Sequence, residues 1–355
     1  MQTAIGLMSG TSLDGVDAAL IRTDGRSRVT LGPAFTQSYG DAFQGLAARN
    51  LAEPPNVRRL TDRHVAAVQE LLRRTDLSPA DVHVIGFPGQ TVAHAPGEGW
   101  TWQVGDAWRL ATATGIRVVT DFRSRDVAHG GQGAPLVPLF HEALTHSMAR
   151  PLAMLNLGGV ANVTWLGRDG ALSAFDTGPG CAPIDDHARR ALGTAYDRDG
   201  RLAAPGTVPE ETLEQLLTDP YFRLPPPKSL DRDHFVDRCA RISQAHSPAD
   251  AAALLTAFCA ASVVRAQVWM PERPATWLVT GGGRRNPVLM RELRQRLSTT
   301  VEAVESVGLD GDALEAQAFG WLAVRSLQGL PLAVPATTGV ARPMSGGILV
   351  HPGRP

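Results

Sequence analysis

Two apolar runs, each broken by a glycine turn, open the two halves of this chain and constrain its fold more than any other feature. Residues 3–8 are a short apolar run ending in Ser9-Gly10-Thr11-Ser12-Leu13-Asp14-Gly15, and residues 16–21 resume a strand-like pattern. Residues 152–157, the pair Gly158-Gly159 and residues 160–166 repeat the theme, with a further run at 171–175. Short apolar runs bounded by turn residues read as strands, so each half is expected to open with an antiparallel hairpin. The repeat predicts an internal structural duplication.

Val57, Leu60, Val65, Val68, Leu71 and Leu72 recur at helical spacing. Residues 82–87 and 118–121 are buried-strand candidates, and 249–268 read as a long alanine-rich helix. Residues 275–280 read as a strand leading into Gly281-Gly282-Gly283, with helices expected over 286–297 and 312–327. Strands alternating with helices argue for α/β layers. A length of 355 residues suits two domains or one large one. Pro225-Pro226-Pro227 cannot lie inside a helix, and the polar segment 205–235 around it is expected to be a surface excursion. Residues 330–355, rich in proline and glycine, are expected to pack back on the body.

Composition narrows the function classes. A hydrophobic content of 43% with 19% charged residues suits a globular enzyme and excludes disorder. The formal net charge of −1 favours neither nucleic acid nor an anionic membrane as partner. Cys181, Cys239 and Cys259 are odd in number and widely spaced, which fits a reducing cytoplasm better than a disulfide framework or a cysteine zinc site. The N-terminus lacks the features of a signal peptide. The longest uncharged stretch, 151–167, contains Asn156, Gly158, Gly159 and Asn162 and so reads as a buried hairpin rather than a membrane span. Lys228 is the only lysine, which leaves one candidate for any mechanism that needs one.

The first turn carries the most chemical information. A bend rich in glycine and hydroxyl residues exposes backbone N–H groups that bind phosphate, and Asp14 adds a carboxylate for a phosphate-bound magnesium ion. A plain tight turn is the alternative. The second turn, residues 156–162, has the same character. Gly281-Gly282-Gly283 would let a base or ribose approach the backbone, or would simply start a helix. Two phosphate-friendly turns opposed across a cleft follow the logic of the actin/hexokinase/Hsp70 superfold.

Other readings fall away. No G-x-x-x-x-G-K-[ST], strand-linked G-x-G-x-x-G or G-x-S-x-G occurs. His141 and His146 lie five residues apart, about 140° around a helix, the wrong spacing for a zinc pair. Asp176-Thr177-Gly178 occurs once, where an aspartic protease needs two carboxylates sharing a proton. It reads better as the lead into Gly178-Pro179-Gly180 and a helix beginning near Cys181. Asp185 in that helix's first turns could act as a general base, while Asp186 reads as a solvated or helix-stabilising acid. The segment Asp121-Phe122-Arg123-Ser124-Arg125-Asp126 suits either polar recognition of a sugar or an interdomain salt-bridge network. Glu315 reads as a sugar-hydroxyl acceptor or a helix-surface acid, and composition favours the latter.

Longer motifs sharpen the reading. IGLMSGTSLDGVDAAL (5–20), DFRSRDVAHGGQGAPLVPLFH (121–141), LNLGGVANVT (155–164), FDTGPG (175–180), DPYFRLPPPKS (219–229), TGGGRRNPVLM (280–290) and EAQAFGWLAVR (315–325) run in order along the chain. Together they resemble the anhydro-N-acetylmuramic acid kinase family from end to end. The resemblance implies an α/β, two-domain actin-like ATPase (ribonuclease H-like) fold with a deep interdomain cleft. Residues 1–133 with 337–355 are then the N-terminal lobe and 134–336 the C-terminal lobe.

It also implies ATP and Mg2+ as cofactors, a small-molecule anhydrosugar as substrate, a homodimer, and a place in peptidoglycan recycling. Asp185 falls on the family's catalytic base. ATP contacts fall on Gly10, Thr11, Ser12, Leu13, Asp14, Gly15, Val16 and Asp17, on Gly158, Gly159 and Asn162, and on Gly281, Gly282, Gly283 and Asn286, with Asp14 at the metal. Substrate contacts fall on Gln90, Thr91, Asp121, Arg123, Asp176 and Glu315. The chain departs from the family pattern at Cys181, where asparagine is usual, and at Pro88, Ala93 and Ala95, in place of a histidine and two arginines. The alternatives are a kinase for another anhydrosugar such as levoglucosan, or a nucleotide-binding module without sugar kinase activity.

Overall fold

The computed structural model describes residues 1–10, 13, 15–43 and 48–353. Its strands in chain order are β1 (Gln2–Met8), β2 (Gly15–Thr23), β3 (Val29–Ser38), β4 (Val84–Gly86), β5 (Gln90–Ala95), β6 (Trp100–Val104), β7 (Val118–Thr120), β8 (Leu152–Leu157), β9 (Val160–Leu166), β10 (Leu172–Pro179), β11 (Thr276–Thr280), β12 (Thr300–Ala303) and β13 (Ile348–Val350). The chain forms two compact units: Met1–Ser147 with Ala313–Pro355, and Met148–Asp312.

The first unit holds a sheet of order β13-β7-β4-β1-β2-β3, and the second a sheet of order β10-β9-β8-β11-β12. In the first, β1, β2 and β3 form an antiparallel meander while β4 and β7 extend it in parallel from β1. In the second, β8, β9 and β10 form the meander while β11 and β12 extend it in parallel from β8. Apart from β13, which has no counterpart, the two sheets share one topology, the duplication that the paired hairpins predict.

In the first unit the alternation along β1 sorts its two faces. Ile5 and Leu7 enter a core with Leu60, Val68 and Leu71 of the helix Pro54–Thr75. Gly6, between them, faces the helix Leu314–Leu327. A Cβ on Gly6 would stand 1.7 Å from the carbonyl oxygen of Ala316, and one on Gly86 would stand 2.1 Å from that of Phe319. Gly6 and Gly86 are register partners on adjacent strands, so together they make a bare floor on which the helix backbone rests. Phe140 of the helix Pro138–Thr145 packs against Trp321, with ring centres 5.8 Å apart.

These contacts set the boundary between units. The sequence reading gives 134–336 to the second lobe, whereas residues 134–147 and 313–336 lie in the first unit, carried there by the glycine floor and by Trp321. The closing segment does pack back, with β13 antiparallel to β7 and Leu332, Val340 and Met344 buried.

In the second unit the helix Pro248–Ala266 is buried nearly throughout. Its span to Trp269 is long and apolar enough to cross a membrane, yet 78% of its most apolar window is covered by the protein. Phe258 and Leu254 from this helix meet Leu213, Leu216, Tyr221, Phe222 and Phe235 in one core cluster. The segment 205–235 is therefore a surface excursion only in part: residues 223–234, around the three prolines, are exposed or half-buried, while apolar residues on either side enter the core. Its prolines bar long helices, but the apolar residues between them anchor the chain in the core.

The strands β3, β5, β6, β12 and β13 escaped the sequence reading. β3 is an edge strand carrying Gly32 and Pro33, the composition tolerated where one side of a strand stays unpaired. β5 and β6 form a separate two-stranded sheet without a continuous apolar run.

A substitution at the floor tests this packing. Gly6→Ala pushes a methyl group into helix backbone, and overpacking of this kind costs about 1–3 kcal/mol. Chemical denaturation should show a lowered midpoint with the slope unchanged; a midpoint equal to wild type would contradict the close approach.

Candidate active site

Three backbone hydrogen bonds seat the helix Ala182–Leu192 on the β8–β9 turn. Gly180 N donates to Gly159 O at 3.0 Å, Cys181 N to Gly158 O at 2.7 Å, and Ala182 N to Gly159 O at 3.2 Å. A side chain at Gly180 would collide with Gly158 O at 2.2 Å, so the approach needs glycine there. Asp185 follows in the helix's first turn, half-buried. Burial pushes its carboxyl up to about 6; Arg189 and Arg232 oppose that, while Asp186 and Asp197 add to it. Asp186, expected to be solvated or helix-stabilising, takes the second role: it pairs with Arg189 of the same helix at 2.6 Å and with Arg232 at 3.2 Å. Its neighbours on α-helical spacing and on the following segment supply the two guanidinium groups.

Beside this helix, register places a polar row across the end of the sheet. Asp176 pairs with Asn162, Asn162 with Asn156, and Asn156 with Thr280. Register partners share a face, so four polar side chains stand together where the strands are otherwise apolar. Asp176 is half-buried, and burial pushes its carboxyl up to about 6, opposed by the Leu230 N–H and the Lys228 ammonium. Thr280 was missed in the sequence; its only signal was a polar residue closing an apolar run.

The triplet after β11 divides its roles. Gly281, at φ 77°, lies where a Cβ would meet Asn156 Oδ1 at 2.4 Å, and a Cβ on Gly283 would meet Leu157 and Cys181 within 2.8 Å. Both are glycine because the protein's own atoms crowd them. Gly282 alone has open space on its Cβ side. Arg284, with its side chain 5% exposed, holds the loop by donating to Gly281 O at 3.0 Å and pairing with Glu305 and Asp312. Asn286 Oδ1 accepts from Val288 N and Leu289 N and so caps the helix Pro287–Leu297. Cys181 Sγ lies 3.9 Å from Leu157 O, and burial keeps its thiol protonated.

In the first unit, Gly10 O accepts from Leu13 N at 3.2 Å and from Gln90 Nε2 at 3.3 Å. Gln90 is 2% exposed, and its Oε1 has no hydrogen-bond partner among the described residues. A buried amide oxygen without a donor is a place where a ligand's N–H or O–H gains affinity. Thr11, Ser12 and Asp14 lie outside the described residues. Gly15, Val16 and Asp17 belong to β2: Val16 is in the core, and Asp17 accepts the Thr36 hydroxyl at 2.5 Å. Thr91 Oγ1 accepts weakly from Gln103 Nε2 at 3.4 Å.

Asp121 accepts from Ser124 N at 3.1 Å, opening the short helix that follows β7. Arg123 donates to Gly133 O at 2.7 Å. Buried Asp126 accepts from Gly133 N and from the Thr338 hydroxyl, fixing the glycine loop after that helix. Glu315 is not a helix-surface acid. It sits half-buried in the first turn of the helix Leu314–Leu327; burial raises its pKa, the Arg123 guanidinium lowers it, and Asp17 raises it again. The glycine floor under that helix brings Glu315 to Arg123, a placement that composition does not reveal. Gln90, Arg123 and Glu315 thus fall in one unit, and Asp176, Asn162 and Asp185 in the other.

The raised carboxyl of Asp185 carries a signature in stability. A folded-state value near 6 against an ordinary 3.8 means that ionising Asp185 costs the fold stability as pH rises through that window. Asp185→Asn should therefore melt higher than wild type at pH 8, with the gain shrinking as pH falls from 6 towards 4. A melting difference independent of pH would contradict the assignment.

The family model for anhydro-N-acetylmuramic acid kinase matches residues 2–352. A protein of that name from Acidiphilium cryptum is 50% identical over 99% of this chain and 98% of its own length. One from Paramagnetospirillum magneticum is 52% identical over 97% of this chain and 98% of its own. Among solved structures, (R)-2-hydroxyglutaryl-CoA dehydratase component A from Acidaminococcus fermentans superposes with a TM-score of 0.50 at 11% identity, covering 92% of this chain and all of that one. That likeness speaks to fold alone, and with the duplicated sheets it gives the two-domain actin-like ATPase architecture. On the extent of the family match and the full-length identity of its relatives, the chain belongs to the anhydro-N-acetylmuramic acid kinase family.

Proposed function

We propose that the protein is an ATP-dependent kinase that opens the 1,6-anhydro ring of 1,6-anhydro-N-acetylmuramic acid with water and phosphorylates O6. The product is N-acetylmuramic acid 6-phosphate, and the setting is peptidoglycan recycling in the cytoplasm, with the chain acting as a homodimer. The observation that carries this reading is the 50% identity to a kinase of that name over nearly the whole of both chains. Asp185 adds a chemical reason. A carboxyl held near 6 is mostly ionised at neutral pH, yet takes a proton more readily than an ordinary aspartate.

In this mechanism Asp185 accepts a proton from water as the water oxygen bonds to the anomeric carbon. The bond from that carbon to O6 breaks, and O6 bonds to the γ-phosphorus as the bridge to ADP breaks. Gln90, Thr91, Asp121, Arg123, Asp176 and Glu315 hold the sugar's polar groups. Gln90 Oε1, which has no partner among the described residues, suits a sugar N–H or O–H donor. Gly158, Gly159 and Asn162, with residues 10–17, serve the phosphates, while Gly282 leaves room for the nucleoside. Asp14 would hold the magnesium ion that accompanies the nucleotide, which would offset phosphate charge.

Incubation with ATP, magnesium and the anhydrosugar should release ADP and the 6-phosphate. Asp185→Asn should lower turnover by roughly 10²–10⁴-fold or more while leaving ATP affinity near wild type. Folded protein that releases no ADP in response to this sugar would reject the reading, and a substrate panel with levoglucosan would show whether another anhydrosugar takes its place.

A further inference from the structure

The buried face of the helix Ala182–Leu192 carries Ile184, His187 and Ala188. An imidazole in that company breaks the apolar pattern, and the mechanism above gives it no task. His187 is 2% exposed, and both of its ring nitrogens are bonded. Nε2 lies 2.8 Å from Pro248 O, in the first turn of the helix Pro248–Ala266. Nδ1 lies 2.9 Å from Ser243 Oγ, on the helix Val236–Ala245. One ring thus ties three helices together.

The partners fix the tautomer. A carbonyl only accepts, so Nε2 carries the proton and donates it to Pro248 O. Nδ1 of the neutral ring is then an acceptor, and the Ser243 hydroxyl donates to it. Cys239 O, 3.0 Å from the same hydroxyl, is a second acceptor for that proton. Turning the proton there would leave two lone pairs facing each other across 2.9 Å, so the ring nitrogen takes it. Arg190, on the same helix as His187, donates from Nη2 to Ser243 Oγ at 3.2 Å.

Asp185 therefore stands between two anchors. At the helix start, Cys181 N and Ala182 N donate to the β8–β9 turn. His187 is the second anchor, five residues past Ala182 and about 7.5 Å further along the axis. A helix tethered only at its start can still tilt and roll. A second tether, made to two other helices, removes that freedom. An apolar side chain would fill the same space without fixing the roll.

We propose that His187 is a positioning residue whose two hydrogen bonds hold the helix in the orientation that presents Asp185 to the attacking water. This rests on the reading of Asp185 as the base.

The placement is tested first without turnover. Asp185→Asn should raise the melting temperature more at pH 8 than at pH 4.5, because the folded chain buries that carboxyl. In a His187→Leu background this pH-dependent gain should fall by about half or more, since a loosened helix lets the carboxyl reach water. An undiminished gain overturns the proposal. In kinetics with the anhydrosugar, His187→Leu should lower kcat by about 10–100-fold with KM for ATP near wild type, as for a reacting group displaced by about 1 Å. It should also move the acid limb of kcat/KM below pH 6. His187→Gln, which keeps an N–H for Pro248 O, should restore most of kcat. A folded His187→Leu with wild-type kcat and acid limb overturns the role, and so does a His187→Gln as slow as His187→Leu. If His187→Leu does not fold, Ser243→Ala removes the Nδ1 partner and replaces it in both measurements, with the same outcomes deciding. Failure of wild type to turn over the sugar would instead sink the functional reading and leave the melting comparison standing.

Discussion

The contact on which the site depends is the union of a hairpin turn with a helix start. Gly158 and Gly159 carbonyls receive the N–H groups of Gly180, Cys181 and Ala182, so the helix Ala182–Leu192 cannot shift without breaking backbone hydrogen bonds. Asp185 is fixed as a consequence. Its burial, and hence its raised proton affinity, follows from where the turn holds the helix rather than from any special partner. A loosened turn would let the carboxylate reach water and return it to an ordinary acid.

The first unit uses a different device on the same sheet topology. Gly6 and Gly86 strip two neighbouring strands of side chains, and the helix Leu314–Leu327 settles on them. Its first turn then carries Glu315 to Arg123 and Asp17, three charges sharing a half-buried setting. Duplication has thus supplied two equivalent sheets, and each has built its polar groups at the helix that its own glycines admit. The second unit adds the segment 205–235, whose aromatic residues enter the core and whose Lys228 and Leu230 lock Asp176.

Much of this was legible in the sequence because it rests on local pattern. The runs at 152–157 and 160–166 fold as β8 and β9 with the same ends, since apolar residues between glycine turns have few other options. The helix starting near Cys181, with Asp185 in its first turn, was likewise local. What stayed hidden depends on contacts distant in the chain. Glu315 looks like a surface acid until the floor beneath its helix is known. The capping role of Asn286, whose Oδ1 accepts from the first turn of the helix Pro287–Leu297, is likewise not read from its motif. The segment 205–235 has the composition of a loop, and only Leu213, Tyr221 and Phe235 reveal that it closes a core. The polar row from Asp176 to Thr280 exists only through strand register, which joins residues more than 100 positions apart.

In the proposed mechanism a half-buried aspartate with a raised proton affinity takes the proton from the attacking water. The most direct measurement is the pH dependence of kcat/KM for the anhydrosugar at saturating ATP, in the wild-type protein. The account predicts an acid limb that inflects near pH 6, where the Asp185 carboxyl gains its proton. A rate that holds level from pH 7.5 down to pH 4.5 would show that no such group governs the reaction, and would contradict the account.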